Sequence, residues 1–231
     1  MSAGARITEL GADDHPGVAV PRPRRDDPMA ERTRRWLLRR RILAVNLVGP
    51  SGSGATALVE RTLRALDPEL PCGVVAADQE TTLDSQRAGA VGCRAVQINT
   101  GAGCHLDADM VEEGLCSLRP PARSVVFVEN VGGLDCVAAH DLGEVRRVVL
   151  FPVTEGADKP RKHAAAFASA DLVLLTKVDL LDRVEADAEQ FTAAVWEANP
   201  DVPVLRVAAS RGSGMAEWCD WLLQQREELI A

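Results

Sequence analysis

Gly49-Pro50-Ser51-Gly52-Ser53-Gly54-Ala55-Thr56 lies between an apolar run, residues 42–48, and a stretch in which Val59, Leu63 and Leu66 recur at helical spacing. In isolation the octet is a Gly/Ser-rich turn. Between a strand and a helix it reads as a phosphate-binding loop, whose usual form is G-x-x-x-x-G-K-[ST]. Backbone N–H groups of such a loop cradle phosphates, its Lys reaches the outer phosphates, and its hydroxyl takes Mg²⁺. Gly49, Gly52, Ser53, Gly54 and Thr56 fill the pattern, whereas Ala55 stands in the place of the Lys. One lost charged hydrogen bond weakens ground-state binding by ~1.5–3 kcal/mol. Losing a preorganised donor to transition-state charge costs on the order of 10²–10³ in rate. The N–H groups of residues 52–56 and the positive helix end still favour phosphate, so Ala55 puts hydrolysis in question more than binding.

Working outward, short apolar runs alternate with helical patterns, which predicts a mostly parallel sheet with helices on both faces. Strands are expected at residues 42–48, 73–77, 95–98, 124–128, 148–153, 171–175 and 204–207. Asp107 is placed to cap a helix whose apolar face is Met110, Val111, Gly114, Leu115 and Leu118, and Pro120-Pro121 ends it. The last helix spans residues 215–230, with Trp218 and Leu222 turned inward. Residues 1–28, rich in Pro, Gly, Asp and Arg, are expected to be a flexible tail, and residues 29–231 one domain that begins with an Arg-rich helix.

The 231 residues carry a formal net charge of −8, which argues against nucleic acid or an anionic membrane as the main partner. Six cysteines without any C-x-x-C pair make no disulfide framework and suit a reducing, cytoplasmic setting. No apolar run approaches the ~20 residues of a membrane span. Arg24-Arg25 are followed by Asp26-Asp27 and no apolar stretch, so export is not expected.

In an open parallel sheet, ligands bind beyond the carboxyl ends of the strands, so the polar clusters there should converge. Thr176-Lys177-Val178-Asp179 matches the guanine-reading pattern [NT]-K-x-D. A carboxylate at Asp179 accepts from both N1–H and the 2-amino group of guanine, a pair of donors that adenine lacks. Lys177 would lay its stem along the base, and Ala209, after the last strand, would offer a backbone N–H to guanine O6. Glu129, followed by Gly132, is placed to hold Mg²⁺ or a water near the outermost phosphate. Asp78 either orients the attacking water or a metal-bound one, or caps a helix. Thr56, Asp78 and Glu129 are thus the candidate Mg²⁺ ligands, with Asp78 and Glu129 the candidate catalytic pair.

Cys104-His105 and Cys136 are a thiolate and imidazole set that suits Ni²⁺ or Zn²⁺. Their spacing alone leaves the ordinary readings standing, a small buried Cys and a hydrogen-bonded His. Three ligands do not close a tetrahedral site, so water, another residue or a second subunit must complete it. His140 joins if the segment from Cys136 is helical.

With these residues assembled, residues 35–223 resemble the nickel-incorporation GTPase of hydrogenase maturation, the HypB family. The matching words are Asp78-Gln79, Gln97-Ile98-Asn99-Thr100-Gly101, Gly103-Cys104-His105-Leu106-Asp107, Glu129-Asn130-Val131-Gly132, Thr154-Glu155-Gly156 and Lys177-Val178-Asp179-Leu180. The related urease GTPases place a Pro between Cys and His, whereas Cys104 and His105 are adjacent. The resemblance implies a P-loop NTPase of the metallochaperone (SIMIBI-like) type that binds GTP or GDP with Mg²⁺ and dimerises on nucleotide. It further implies that Ni²⁺ or Zn²⁺ is held at the dimer interface by Cys104, His105 and Cys136, and that nickel passes to a hydrogenase large subunit with the help of other maturation proteins. Two readings of Ala55 follow: a GTPase in which Lys162 or Lys159 replaces the missing cation, or a nucleotide- and metal-binding scaffold or carrier that does not hydrolyse GTP.

Overall fold

The computed structural model describes residues 27–78, 93–100, 105–156 and 159–231; the expected tail up to residue 26 and Cys104 lie outside these. Among the described residues seven strands, β1 (Leu43–Gly49), β2 (Cys72–Asp78), β3 (Arg94–Asn99), β4 (Val125–Val131), β5 (Arg146–Pro152), β6 (Leu172–Thr176) and β7 (Val204–Val207), form one sheet in the order β3-β2-β4-β1-β5-β6-β7. Every ladder in it is parallel. β1 sits at the centre, which explains its unbroken apolar run: all seven of its residues are buried.

Successive side chains of a strand point to opposite faces, and the core divides accordingly. On one face Val45, Leu47, Phe127 and Leu150 pack beneath α2 (Ala55–Ala65) and the last helix, α8 (Met215–Ile230), which contributes Trp218 and Leu222. Trp218, fully buried, donates its indole N–H to Thr62 Oγ1 at 2.8 Å. The other face carries two clusters. Ala44, Val75 and Val126 meet α1 (Pro28–Arg39) and α3 (Ala108–Leu118), whereas Val149, Phe151 and Val173 meet α4 (Leu134–Ala138), α6 (Ala164–Ala168) and α7 (Ala188–Ala198). Between β5 and α6 lies the one-turn helix α5 (Lys159–Lys162). Among the described residues no helix is long and apolar enough to cross a membrane.

Most strand ends fall one or two residues from the sequence expectation, and two boundaries differ with a clear physical cause or consequence. Asp27 and Pro28 belong to α1 and not to the tail: the Asp27 carboxylate accepts from Met29 N and Ala30 N, and Pro28 occupies the first turn, where its missing N–H costs nothing. β4 runs past Val128 through Glu129 and Asn130, so both polar side chains are held by a strand and not by a loop.

The Arg-rich α1 is partly neutralised within the molecule. Arg35 pairs with Glu31 at 2.7 Å, Arg32 with Glu112, and the largely buried Arg34 with Asp141. Arg34 also reaches a buried network around Arg147, which is 5% exposed. Its guanidinium donates to Glu144 Oε1 at 2.7 Å and to the carbonyls of Ala138 at 2.8 Å and His140 at 2.6 Å. Burial alone would push the Glu144 carboxyl up, but the Arg147 charge and hydrogen bonds, including that from Leu142 N, hold it below its ordinary value. A depressed folded value means that this stabilisation is complete at neutral pH and is lost as pH falls from about 4.5 through the folded value. Arg147→Met strands a buried carboxylate and two carbonyls, so a loss of ~3–5 kcal/mol is expected by urea unfolding at pH 7, and less in acid. An equal loss at both pH values would detach the effect from Glu144.

Candidate functional site

The phosphate loop leaves β1 at Gly49, where any side chain would collide: a Cβ there would lie 2.8 Å from both the Leu150 carbonyl and Ser53 Oγ. Gly54 caps α2 at φ +94°, a conformation that side-chain-bearing residues rarely adopt, and it contributes no capping side chain. First-turn N–H groups of α2 therefore point outward with the positive end of the helix dipole, as an anion requires. Ala55 is the first residue of that helix.

A cleft of about 310 Å³ opens beside this loop. Ser53, Gly54, Ala57 and Leu58 form one wall, and Thr176, Lys177, Asp179, Leu180, Ala209 and Ser210 line the rest. The sequence-predicted loop, guanine reader and Ala209 thus meet in one cavity. Lys177, at φ +58°, turns the chain from the end of β6 into a 3₁₀ helix, Val178–Arg183, that carries Asp179. Asp179 faces Ser210, whose Oγ donates to it at 3.3 Å, and Arg211 Nε at 4.0 Å. Thr176, where the reader pattern more often has Asn, is buried and donates its hydroxyl to the Ser53 carbonyl at 2.6 Å, fastening the reader to the phosphate loop.

At the phosphate end, Thr56 Oγ1 donates to Glu129 Oε2 at 2.8 Å, and Glu129 is 4% exposed. A buried carboxylate against a hydroxyl is a hard oxygen pair of the kind Mg²⁺ takes. Asp78 ends β2, the strand beside β4, and Gly132 follows β4 directly. Lys159 and Lys162 lie on α5, away from the cleft lining; Lys159 is 3.5 Å from Glu155 in an ion pair within its own segment.

The second cluster lies on the other side of Glu129. Its neighbour Asn130 accepts from Leu106 N at 3.1 Å, which fixes the segment carrying His105. His105 Nδ1 is 3.2 Å from Cys136 Sγ, on α4. Two donors that each stand ~2.0–2.3 Å from one ion are separated by roughly 3–4 Å, so this pair fits a shared Ni²⁺ or Zn²⁺. Burial, and then the neighbouring His140, push His105 below the ordinary imidazole value, against a smaller opposing pull from Asp107; the neutral form is the ligating one. Among the described residues no group of three or more His, Cys, Asp or Glu side chains is gathered around one point. Cys104, the remaining sequence-predicted ligand, lies outside the described residues. Asn130 and Arg147 had no role in the sequence reading. Asn130 is hidden inside the Glu129-Asn130 word, and the signal for Arg147 is a charge inside the otherwise apolar run of β5.

Residues 43–206 match the profile of the CobW/HypB/UreG nucleotide-binding domain. The Hydrogenase maturation factor HypB of Escherichia coli K12 is 43% identical over 202 residues, covering 87% of this chain and 70% of that protein. The protein of the same name from Azotobacter vinelandii is 47% identical over 185 residues, covering 80% of this chain and 61% of its own length. The chain therefore spans about two thirds of the length of these two relatives. The crystal structure of HypB from Helicobacter pylori in complex with nickel superposes with a TM-score of 0.80 at 27% identity, covering 87% of this chain and 94% of that one.

Thr176→Val deletes the hydroxyl that fastens the reader to the loop and leaves the Ser53 carbonyl without this donor. A loss of about 1–3 kcal/mol is expected from urea unfolding of the unliganded protein. An unfolding midpoint equal to the parent's would show that the tie carries no weight.

Proposed function

The chain belongs to the HypB branch of the CobW/HypB/UreG family, and we propose that it is a GTP-binding nickel metallochaperone for maturation of a [NiFe] hydrogenase large subunit. The observation that carries the nucleotide half is the single cleft shared by the phosphate loop, Asp179 and Ala209. Guanine enters it with N1–H and the 2-amino group on Asp179, O6 toward the Ala209 backbone, and one face along the Lys177 stem. The phosphates rest on the N–H groups of residues 52–56. Thr56, Glu129 and Asp78 are the residues that would hold Mg²⁺, which neutralises phosphate charge when bound. Asp78 and Glu129 also supply the carboxylates that orient a water toward the outermost phosphate.

Nickel is cargo in this reading, taken by Cys136 and His105 with Cys104 next to it in the chain. A donor set of two thiolates and one imidazole leaves a coordination position open, which suits an ion that must be released. A second copy of the chain completes the site in a nucleotide-promoted homodimer. The relatives' names support a place in hydrogenase maturation; in this reading the partners are other maturation proteins and a hydrogenase large subunit, and the thiols suit the cytoplasm.

Ala55 favours a second reading, a carrier that binds GTP without turning it over. The pairing of Lys159 with Glu155 supports it, because that ammonium is engaged away from the cleft. Rapid phosphate release by the parent protein, abolished in Glu129→Gln, would sink this alternative.

Paired measurements of GTP affinity and phosphate release separate the two. Ala55→Lys is expected to raise release on the order of 10²–10³-fold while tightening binding far less. No gain would mean that another cation already does the work, and Lys159→Ala and Lys162→Ala would then identify it. For the base, Asp179→Asn should weaken GDP by ~1.5–3 kcal/mol, because a carboxylate accepting two hydrogen bonds is replaced by an amide that can accept only on its oxygen. Unchanged GDP affinity would remove Asp179 from the reader. For the cargo, Cys104→Ser, His105→Ala and Cys136→Ser should each weaken nickel binding in a chelator competition. Parent-like affinity in all three counts against the site.

A further inference from the structure

We propose that His140 is a positioning residue of this metal site, holding the His105 ring in its ligating orientation by stacking on it. The inference rests on the nickel reading above and assigns a role to a residue outside its ligand set.

The two ligands come from separate elements, His105 from the turn before α3 and Cys136 from α4, and His140 touches both. Its ring stacks on that of His105 with centroids 3.9 Å apart and planes 23° from parallel. Its Nδ1 stands 2.9 Å from the Cys136 carbonyl. A carbonyl oxygen only accepts, so Nδ1 carries the hydrogen and the ring has one tautomer and one orientation. The backbone under it is fixed as well, because Arg147 donates to the carbonyls of both Ala138 and His140.

Holding Nδ1 of the part-buried His105 toward the sulfur of Cys136 costs the ring rotational entropy. A fixed ring lying flat against it removes that freedom in advance. The same geometry argues that His140 is not itself a ligand of the same ion. An imidazole holds a metal close to its own ring plane at ~2.0–2.1 Å, and two nearly parallel planes almost 4 Å apart cannot both contain one ion. Stacking is thus the contact that serves His105, and it needs an aromatic face more than a nitrogen.

The test uses the full chain with Ni²⁺ as the probe, reading affinity by chelator competition and the thiolate-to-nickel charge-transfer band by absorption. His140→Ala should weaken nickel on the order of 10–100-fold and alter the band. His140→Phe keeps the stack and should retain most of the affinity and the parental band. Circular dichroism and thermal unfolding of both variants establish that they are folded. His140→Ala binding as the parent does would overturn the positioning role, as would His140→Phe falling as far as His140→Ala, which would make the nitrogen the active part. A parent protein without any thiolate band overturns the nickel reading itself, and this proposal with it.

Discussion

A guanidinium shut away from water must find its hydrogen bonds inside the protein, and Arg147 finds them in a way that shapes half of the molecule. Its partners are Glu144, the carbonyls of Ala138 and His140, and Ser169 Oγ. Glu144 in turn lies 3.4 Å from the Asn46 amide on β1, three residues before the phosphate loop, and its backbone carbonyl accepts from Arg34 on α1. One buried charge pair therefore joins the central strand, the N-terminal helix and the turn that carries His140. A well-packed apolar replacement can stabilise as much, because desolvation offsets most of the Coulomb gain in such pairs. What apolar side chains cannot do is hold two specific carbonyls, and those fix the turn beneath the Cys-His cluster.

The end of β4 is the second organising feature. Adjacent strand residues project to opposite faces, and here the alternation separates two chemistries. Glu129 meets Thr56 on the phosphate loop, and Asn130 meets the backbone beside His105. The proposed Mg²⁺ ligand and the anchor of the His105 segment are thus consecutive residues on one strand. Both are held by the ladder of β4 with β1, whose register pairs Leu47 with Glu129 and Val48 with Asn130. A shift of one register position would exchange the two faces and lose both sites at once.

Legibility in the sequence followed the range of the interaction. The strands, the longer helices, the Asp107 cap, and the inward turn of Trp218 and Leu222 were readable, because period-two and period-3.6 patterns are local; the short helices α4, α5 and α6 carry no such pattern. The meeting of residues 49–56 with Thr176, Asp179 and Ala209 was also readable, because a parallel sheet sends every strand end to one edge. Pairings that depend on side-chain reach were not. Nothing local says that Thr176 donates to Ser53, that Asn130 holds Leu106, or that His140 lies flat on His105. The boundary at Asp27 was missed for a different reason: a single capping carboxylate extends a helix into a segment whose composition is that of a tail.

Ala55 has its sharpest consequence for how the proposed nucleotide and cargo sites would communicate. A nucleotide shifts a conformational equilibrium only by the difference in its interactions with the two states, however tightly it binds overall. The base contacts around Asp179 are common to GTP and GDP and contribute nothing to that difference. A Lys at position 55 would reach the outer phosphates, so it is among the groups that distinguish the two nucleotides. With Ala there, the proposed site leaves that distinction to the loop N–H groups, Thr56, and the proposed Mg²⁺ ligands Asp78 and Glu129. Glu129 is bonded to Thr56 and is followed directly by the residue that anchors the His105 segment. Part of whatever distinction between GTP and GDP this chain retains therefore falls at the end of β4, beside the anchor of the His105 segment.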